Sequence, residues 1–205
     1  MARPDATAER TRRILDAAAA VFARLGLHQA RIEDIAREAG MSKGLLYRYF
    51  VGKDALVVAL VDDFYGEALA QLRTTEAAPA PVADQLAQFT LHMGAAIERL
   101  APVLPMMFEF YATAMRRPDV RQTLTRYYAE YHAVARALFR RGMERGEIRA
   151  GAADDAAEAL IALYEGTTVL WALDQGGTPW AARAGAAIRV LLGGLQTAQG
   201  PRRPN

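Results

Sequence analysis

A short basic segment near the N-terminus carries the residues best suited to binding phosphate. Lysine accounts for only two of the chain's 25 basic side chains, and both lysines, Lys43 and Lys53, lie in this segment with Arg48 between them. A lysine ammonium is a compact point charge that suits a phosphate oxygen or a base edge. Ser42 adds a hydroxyl, and Gly44 removes side-chain bulk so that another molecule can approach the backbone. These residue types favour contact with nucleic acid, and simple solvation of a charged surface is the alternative.

Two short helices on either side of a turn would position these residues. The first is predicted from Ile32 to Ala39 and the second from Lys43 to Phe50. Gly40 suits the turn because glycine adopts a positive φ at the least cost. Ser42 is placed to cap the second helix, and the free N–H groups at that end also suit a phosphate oxygen. Together they predict a helix-turn-helix, whose second helix normally enters the DNA major groove.

An earlier helix, predicted from Ala8, supplies the third wall of a small core. Its apolar positions recur with helical spacing and end just before Gly26, which can take the left-handed position after a helix. The apolar stripe consists of Ile14, Ala18, Val21, Phe22 and Leu25. The facing walls are predicted to be Ile32, Ile35, Ala36, Leu46, Tyr47 and Phe50.

Composition narrows the class of protein. The 205 residues are 52% hydrophobic and 23% charged, which is ordinary for a folded soluble chain. There is no cysteine, so disulfides and thiolate metal sites are excluded. Neither an uncharged run of membrane-spanning length nor a secretory signal is found, which predicts no membrane association and a cytoplasmic location. The first 53 residues hold ten basic and six acidic side chains, against 15 and 17 in the remainder.

The remaining chain also has helical periodicity, and no segment alternates as a strand would. Helices are predicted at about 53–73, 82–100, from 102 through the Met-rich segment, 118–146, 154–173 and 178–195, with breaks at proline and glycine, including Gly176. The fold class is therefore all-α with about nine helices. A DNA-binding domain is predicted at residues 8–53 and a larger helical domain at 54–198, with flexible tails at 1–7 and 199–205.

The sequence resembles the TetR family of bacterial transcriptional regulators. The resemblance rests on Ile14-Leu15-x-Ala17-Ala18 and Phe22-x-x-x-Gly26, on the segment from Ile35 to Phe50, and on Lys53-Asp54-x-Leu56. These motifs are dense and cover about a quarter of the chain. The other three quarters are similar to the family only in their helical pattern and length.

The resemblance implies a homodimer that binds a palindromic operator in double-stranded DNA and carries a ligand cavity in its helical body. Helices 8 and 9 would form the dimer interface. Two positions depart from the usual family pattern: Arg31 stands where a hydroxyl residue commonly opens helix 2, and Leu45 stands where threonine is frequent. The predicted DNA-binding residues are Arg31, Ser42, Lys43, Gly44, Leu45, Tyr47, Arg48, Tyr49 and Lys53.

The helical body is rich in methionine and aromatic residues, which suit either a ligand cavity or ordinary core packing. The predicted ligand-binding residues are His92, Met93, Met107, Glu109, Phe110, Tyr111, Tyr128, Tyr131, His132 and Tyr164. Polar residues among apolar neighbours are candidates for holding a ligand's polar end, namely His92, Glu109, His132 and Glu165.

The sequence predicts a ligand-responsive DNA-binding regulator, most simply a repressor that a small, largely apolar effector releases from its operator. The alternative is an all-helical protein-interaction module without ligand control. An enzyme is disfavoured because the three histidines lie far apart and no phosphate loop, HExxH or GxSxG motif occurs. No catalytic residue, metal site or cofactor is predicted.

Overall fold

The computed structural model describes residues 6–149, 151–174 and 177–195, and its regular structure there is entirely helical. The elements are α1 Ala6–Gln29, α2 Ile32–Glu38, α3 Lys43–Tyr47, α4 Lys53–Ala77, α5 Val82–Leu100, the 3-10 turn η1 Ala101–Val103, α6 Leu104–Ala114, α7 Pro118–Glu144, α8 Ala153–Leu173 and α9 Trp180–Leu195. The predicted all-α architecture of about nine helices is confirmed. Gly176 and most of the predicted tails lie outside the described residues.

The chain packs as two compact units. The first combines the described parts of Met1–Gly66 with Leu100–Thr125, and the second combines Glu67–Arg99 with the described parts of Arg126–Asn205. Helices α4 and α7 contribute residues to both units. The predicted domain boundary after residue 53 stays a prediction.

Helix α1 provides the central surface of the first unit. Its residues Ile14, Val21 and Phe22 are buried, as predicted. The helix packs on α2 and also on η1 and α6. Gly26 has φ 73° and ψ 163°, so the helix is interrupted where the sequence predicts its end, and one further turn follows. Because α1 packs against α2 and also against η1 and α6, it fixes the position of the short helices that follow it.

Helix α3 is shorter than the predicted run to Phe50 and ends at Tyr47. The amides of Arg48 and Tyr49 donate to carbonyls three residues back, at 3.1 and 2.9 Å, so the chain tightens after Tyr47. A helix of five residues is about 8 Å long at 1.5 Å per residue. It is still long enough to present one turn of side chains to a groove.

Helix α4 runs four residues further than the predicted end near Arg73. Gln85 explains this extension, because its side-chain amide donates to the carbonyls of Thr75 and Ala78 at 2.7 and 2.6 Å. The end of α4 is therefore satisfied by a residue of α5, which lies beyond the two prolines that suggested an earlier break.

The core of the second unit contains a cluster of aromatic side chains. Tyr164 stacks on Trp180 with ring centroids 5.5 Å apart, and Phe89 meets the edge of Tyr164 at 5.6 Å. The Tyr164 hydroxyl lies 2.8 Å from Thr90 Oγ1, and the Trp180 indole N–H donates to Thr168 Oγ1 at 3.0 Å. The Tyr164 hydroxyl and the Trp180 indole N–H therefore each have a hydrogen-bond partner, and neither is left unsatisfied among the packed rings.

Helix α8 packs against α9 and has an unusually apolar composition. By length and hydropathy it could cross a membrane, although a third of the relevant window is already buried within the chain. In soluble proteins, helices of this length and hydropathy cover a core or an interface. These two properties alone are therefore weak evidence for a membrane span. Its sequence does not form an uncharged run of membrane-spanning length, because Glu158 and Glu165 interrupt the apolar residues.

Candidate functional site

The turn between α2 and α3 is closed by a Schellman motif. Met41 donates its amide to the Ala36 carbonyl at 3.0 Å, and Gly40 donates to Arg37 at 3.1 Å. Gly40 has φ 64°, which confirms the predicted turn position. A Cβ at Gly40 would come within 2.7 Å of the Arg13 guanidinium. Any larger residue here would therefore strain the backbone and displace Arg13.

Ser42 caps α3, as the sequence predicts. Its hydroxyl accepts from the Leu45 amide at 3.2 Å, which satisfies one of the free donors at the helix start. Leu46 is completely buried and anchors the helix to the core. Tyr47 was expected to form a core wall but is 45% exposed, and its ring lies beside the Lys43 ammonium on the outer surface. The prediction that Tyr47 packs inside is wrong.

One surface of α3 and the turn after it faces outward. Lys43, Gly44 and Arg48 are exposed, whereas Leu45 and Tyr49 are half-buried. A Cβ at Gly44 would meet no atom within 4 Å, so the glycine leaves open space above the helix backbone. The hydrogen bond between Arg10 and Tyr49 raises the pKa of the Arg10 guanidinium. This surface offers cations, aromatic rings and bare backbone within a single helical turn.

Lys43 is held by an acidic partner that the sequence analysis missed. Its ammonium is paired with the Glu33 carboxylate of α2 and lies 5.8 Å from the ring centre of Tyr47. The hydrogen bond between them lowers the pKa of Glu33 and raises the pKa of Lys43. Both side chains are about half exposed, so the pair can open to another anion at little cost. Ten residues separate the partners, and no sequence pattern signals the pairing.

Arg31 opens α2 without a side-chain cap, in agreement with the predicted loss of a hydroxyl there. Asp34 partly compensates, since its carboxylate accepts from the Arg31 amide at 3.2 Å. Asp34 also pairs with Arg37 at 3.1 Å. The Arg31 side chain is exposed at the start of α2.

Lys53 joins the end of α1 to the start of α4. Its ammonium donates to the carbonyls of Leu27, His28 and Ala30 at 2.5, 3.3 and 3.3 Å. We call this set of contacts the carbonyl clamp. Three acceptors fill the three donors of the ammonium. A positive charge also suits the negative end of α1. The sequence suggested only a phosphate contact at Lys53, because a clamp across more than twenty residues leaves no local signal.

The predicted ligand-binding residues are divided between the two units. Met107, Glu109, Phe110 and Tyr111 lie on α6 in the first unit, and the other six lie on α5, α7 and α8 in the second. On α6, Met107 and Phe110 are buried, and Tyr111 is hydrogen-bonded to Tyr65. Glu109 Oε2 is buried and accepts no hydrogen bond within the described part of the chain, while His28 Nε2 lies 4.0 Å away.

In the second unit the predicted residues have different environments. Tyr164 and Met93 are buried, whereas Tyr128, Tyr131 and His132 are half-buried. His92 is exposed on α5, as is its neighbour Leu91. Burial raises the pKa values of the Tyr131 and Tyr164 phenols well above their ordinary range. Both phenols therefore stay protonated to a higher pH than an exposed tyrosine does.

A cavity of about 320 Å³ lies within the first unit. Its walls come from the end of α1, the first turns of α4, α6, and the segment leading into α7. The lining residues are Leu27, Asp54, Ala55, Val57, Val58, Phe110, Thr113, Arg117 and Val120. Phe110 belongs to both this set and the predicted ligand residues. The other walls were missed because the cavity forms between helices that are distant in sequence.

No group of three or more potential metal-binding side chains is found among residues 6–149, 151–174 and 177–195. The polar groups of the cavity are one carboxylate, one guanidinium and one hydroxyl. A guanidinium and a hydroxyl suit an organic ligand or an anion better than a metal ion.

Comparisons with known protein families agree with the arrangement of the helices. A family described as "Bacterial regulatory proteins, tetR family" matches residues 14–60. A second, described as "BetI-type transcriptional repressor, C-terminal", matches residues 102–196. The first match spans the helix-turn-helix and the start of α4, and the two together cover more than half of the chain.

Individual similar proteins include another transcriptional regulator and two solved structures that share the fold. The chain is 28% identical over 144 residues to an uncharacterized HTH-type transcriptional regulator of Bacillus subtilis, covering 69% of each chain. The regulator FadR of Bacillus subtilis, solved in complex with stearoyl-CoA, is similar with a TM-score of 0.71 at 22% identity, over 90% of this chain and 99% of that one. A Saccharomonospora viridis regulator in complex with choline is similar with a TM-score of 0.72 at 20% identity, over 90% and 96%.

Proposed function

The chain belongs to the TetR family of bacterial transcriptional regulators, and from this premise we propose that it represses transcription from a palindromic operator until a small, largely apolar ligand releases it. Members of the family bind DNA, respond to small effectors and form dimers, and they are not enzymes. The observation that carries the proposal is the capped helix α3, which exposes Lys43, Gly44 and Arg48 while Leu46 fixes it to the core. A cytoplasmic location is part of the proposal.

We assign different roles to the residues around α3. Arg48 and Lys43 would contact phosphates or base edges, and Gly44 would allow the backbone close to the bases. Tyr47 and Leu45 would offer apolar contact, for example to a thymine methyl group. Arg31, Ser42 and Tyr49 would contact the DNA backbone from the edges of this surface. Base readout by Leu45 would distinguish this protein from relatives with threonine there.

Lys53 is proposed to support DNA binding through the carbonyl clamp. The clamp ties α1 to α4 and so fixes the base of the helix-turn-helix. A direct phosphate contact by Lys53 stays a prediction, and it would require the ammonium to release at least one carbonyl.

Dimerisation is proposed to occur through α8 and α9. Both helices carry large apolar side chains that the single chain leaves exposed, namely Val169, Leu170, Leu173 and Val190. Pairing with a second copy would bury them in a two-fold symmetric interface. This proposal also accounts for the apolar composition of α8 without a membrane. Two copies of α3 would then enter successive major grooves about 34–36 Å apart.

The fold does not specify the effector. The two structural neighbours above have similar TM-scores but hold ligands as unlike as stearoyl-CoA and choline. For this chain we propose a largely apolar ligand, on the basis of the aromatic and methionine residues of the helical body. Ligand binding that favours a different separation of the two α3 helices would lower DNA affinity by about 5- to 150-fold, the usual range for such coupling.

Selection of bound duplexes from a random DNA library tests the proposed function. We expect a palindrome whose half-sites are one helical turn apart. Arg48→Ala should weaken binding to that palindrome, whereas Arg126→Ala, a change of the same charge on α7, should not. Recovery of no preferred sequence, with equal binding of scrambled DNA by the wild type, would favour the interaction-module alternative.

A further inference from the structure

We propose that the cavity of the first unit binds a compact amphiphile with a carboxylate head group, which Arg117 holds in place of Asp54. The binding step stands on the geometry of the cavity alone. Its effect on DNA affinity rests on the proposed function.

The walls of the cavity are mainly apolar. Six of the nine lining residues have aliphatic or aromatic side chains, and Val57, Phe110 and Val120 among them are buried. Burying an apolar tail against such walls is favourable because it removes hydrocarbon surface from water. The volume of about 320 Å³ is near the lower end of small-molecule sites. The cavity therefore suits a compact tail rather than a long acyl chain.

The polar edge of the cavity identifies the head group. Arg117 Nη1 lies 2.6 Å from Asp54 Oδ2, so a carboxylate already occupies the guanidinium. The planar fork of an arginine binds a carboxylate with two parallel hydrogen bonds, which a neutral hydroxyl cannot reproduce. Thr113 lies nearby, and its hydroxyl donates to the Glu109 carbonyl at 2.9 Å. The oxygen of Thr113 can still accept a bond from a protonated or hydrated head group.

Asp54 can leave Arg117 at little cost. The two side chains are 71% and 46% exposed, and exposed ion pairs contribute little to stability. Asp54 also lies in the first turn of α4, where a negative charge remains favourable without its partner. A ligand carboxylate offers the same contact as Asp54 and adds the burial of its tail. Because the two carboxylates make the same contact, burial of the tail is the driving force of the exchange, and it has to outweigh the cost of immobilising the ligand.

The exchange would act on the joint that supports the helix-turn-helix. Leu27 and Asp54, which line the cavity, are a clamp acceptor and the immediate neighbour of Lys53. A ligand that displaces Asp54 alters the start of α4 next to the carbonyl clamp. We expect this to change how α1 and α3 are held, and so the affinity for DNA.

Sodium octanoate is the probe, and 1-octanol is the neutral control with the same chain length. Titration into the full-length protein without DNA should give saturable octanoate binding, with octanol at least about tenfold weaker because a charged hydrogen bond is lost. Arg117→Gln should weaken octanoate binding by a similar factor. Asp54→Asn should strengthen it, because the competing carboxylate is gone. Arg116→Gln, an exposed arginine one residue earlier, is the matched control and should bind like the wild type.

Opposite changes in octanoate affinity for Arg117→Gln and Asp54→Asn would support the proposal. If the ion pair were merely structural, its loss would change the affinity of both variants in the same direction. Ala55→Leu should fill the cavity and abolish octanoate binding, which tests the location. Equal binding of octanol, unchanged binding by Arg117→Gln, or no saturation at millimolar octanoate would overturn the proposal. Saturable binding that leaves operator affinity unchanged would retain the site and reject its control of DNA.

Discussion

The helix-turn-helix of the first unit and the aromatic cluster of the second use tyrosine in opposite ways. Tyr47 is 45% exposed beside Lys43, whereas Tyr164 is 7% exposed and stacks on Trp180. The first tyrosine is available to another molecule, and the second fills a core. The same residue type therefore has a meaning that depends on which side chains are packed around it.

The charged groups of the two regions differ in the same way. Exposed acids of α2 pair with cations of the neighbouring helices, as Glu33 does with Lys43 of α3 and Glu38 with Arg24 of α1. Such pairs open easily when a phosphate offers a better contact. In the aromatic cluster, the buried Tyr164 hydroxyl lies 2.8 Å from Thr90 Oγ1, and burial raises its pKa, so it keeps this partner. One region is built to exchange partners, and the other is built to keep them.

Two matched truncations of core side chains should give the largest effects that distinguish the helix-turn-helix from the aromatic cluster. Leu46 in α3 and Leu160 in α8 are both completely buried. Replacing either with alanine should lower the free energy of unfolding by about 2–5 kcal/mol, because a buried cavity is left. Leu46→Ala should also abolish operator binding at temperatures where the chain remains helical. Leu160→Ala should retain it, as measured by fluorescence anisotropy alongside thermal melts.

Each variant is measured at the same number of degrees below its own melting temperature. Equal loss of DNA binding by both variants would contradict the proposed difference between the two regions. That result would mean that the surface of α3 depends on the aromatic region as much as on its own anchor. Val21→Ala in α1, also completely buried, extends the test to a second wall of the same core.

The sequence predicts the helix-turn-helix well because its determinants are local. The Gly40 turn and the Ser42 cap each depend on residues fewer than six positions away, and the burial of Leu46 follows from the helical period. Helical periodicity likewise predicts the start and end of α5 without error. The burial of Tyr47 was predicted wrongly because apolar character at that position does not show that its ring lies beside Lys43 on the exposed surface of α3.

The parts that the sequence does not predict depend on distant partners. Lys53 reaches carbonyls at least 23 residues away, and Arg117 meets Asp54 across 63 residues. Gln85 extends α4 past the predicted proline break because it binds two carbonyls of the preceding turn. The walls of the cavity likewise come from helices that are distant in sequence. All these features depend on packing between helices, which the periodicity of a single helix does not encode.

Lys53→Ala separates the two roles considered for this lysine. If the carbonyl clamp is the main role, the free energy of unfolding should fall by about 1–3 kcal/mol, because charged hydrogen bonds are lost. DNA affinity should then fall for all sequences with the salt slope unchanged. A direct phosphate contact predicts instead a slope lower by about one and little change in stability. Arg48→Ala, measured in the same salt series, shows the behaviour expected for loss of a phosphate contact.

Tyr164→Phe tests the buried cluster with a smaller change. Losing the bond to Thr90 should lower the free energy of unfolding by about 0.5–1.5 kcal/mol. Since burial raises the pKa of Tyr164, the folded phenol stays neutral while the unfolded one ionises near pH 10. The contribution of this phenol to wild-type stability should therefore be constant below that pH and fall above it. The variant should show a shallower alkaline decline in urea melts, and an unchanged decline would place the effect on other groups.

The smallest expected effect concerns the exchange of partners at α3. Glu33→Gln frees Lys43 and should tighten binding to all DNA by up to about fivefold at low salt, in keeping with the modest energy of an exposed pair. Glu98→Gln on α5 makes the same charge change elsewhere and serves as the control. Removing an acid near DNA would also relieve simple repulsion of phosphate. A Lys43→Ala background distinguishes the two causes: if Glu33 acts by holding Lys43, the gain from Glu33→Gln disappears there, and if it acts by repulsion, the gain persists.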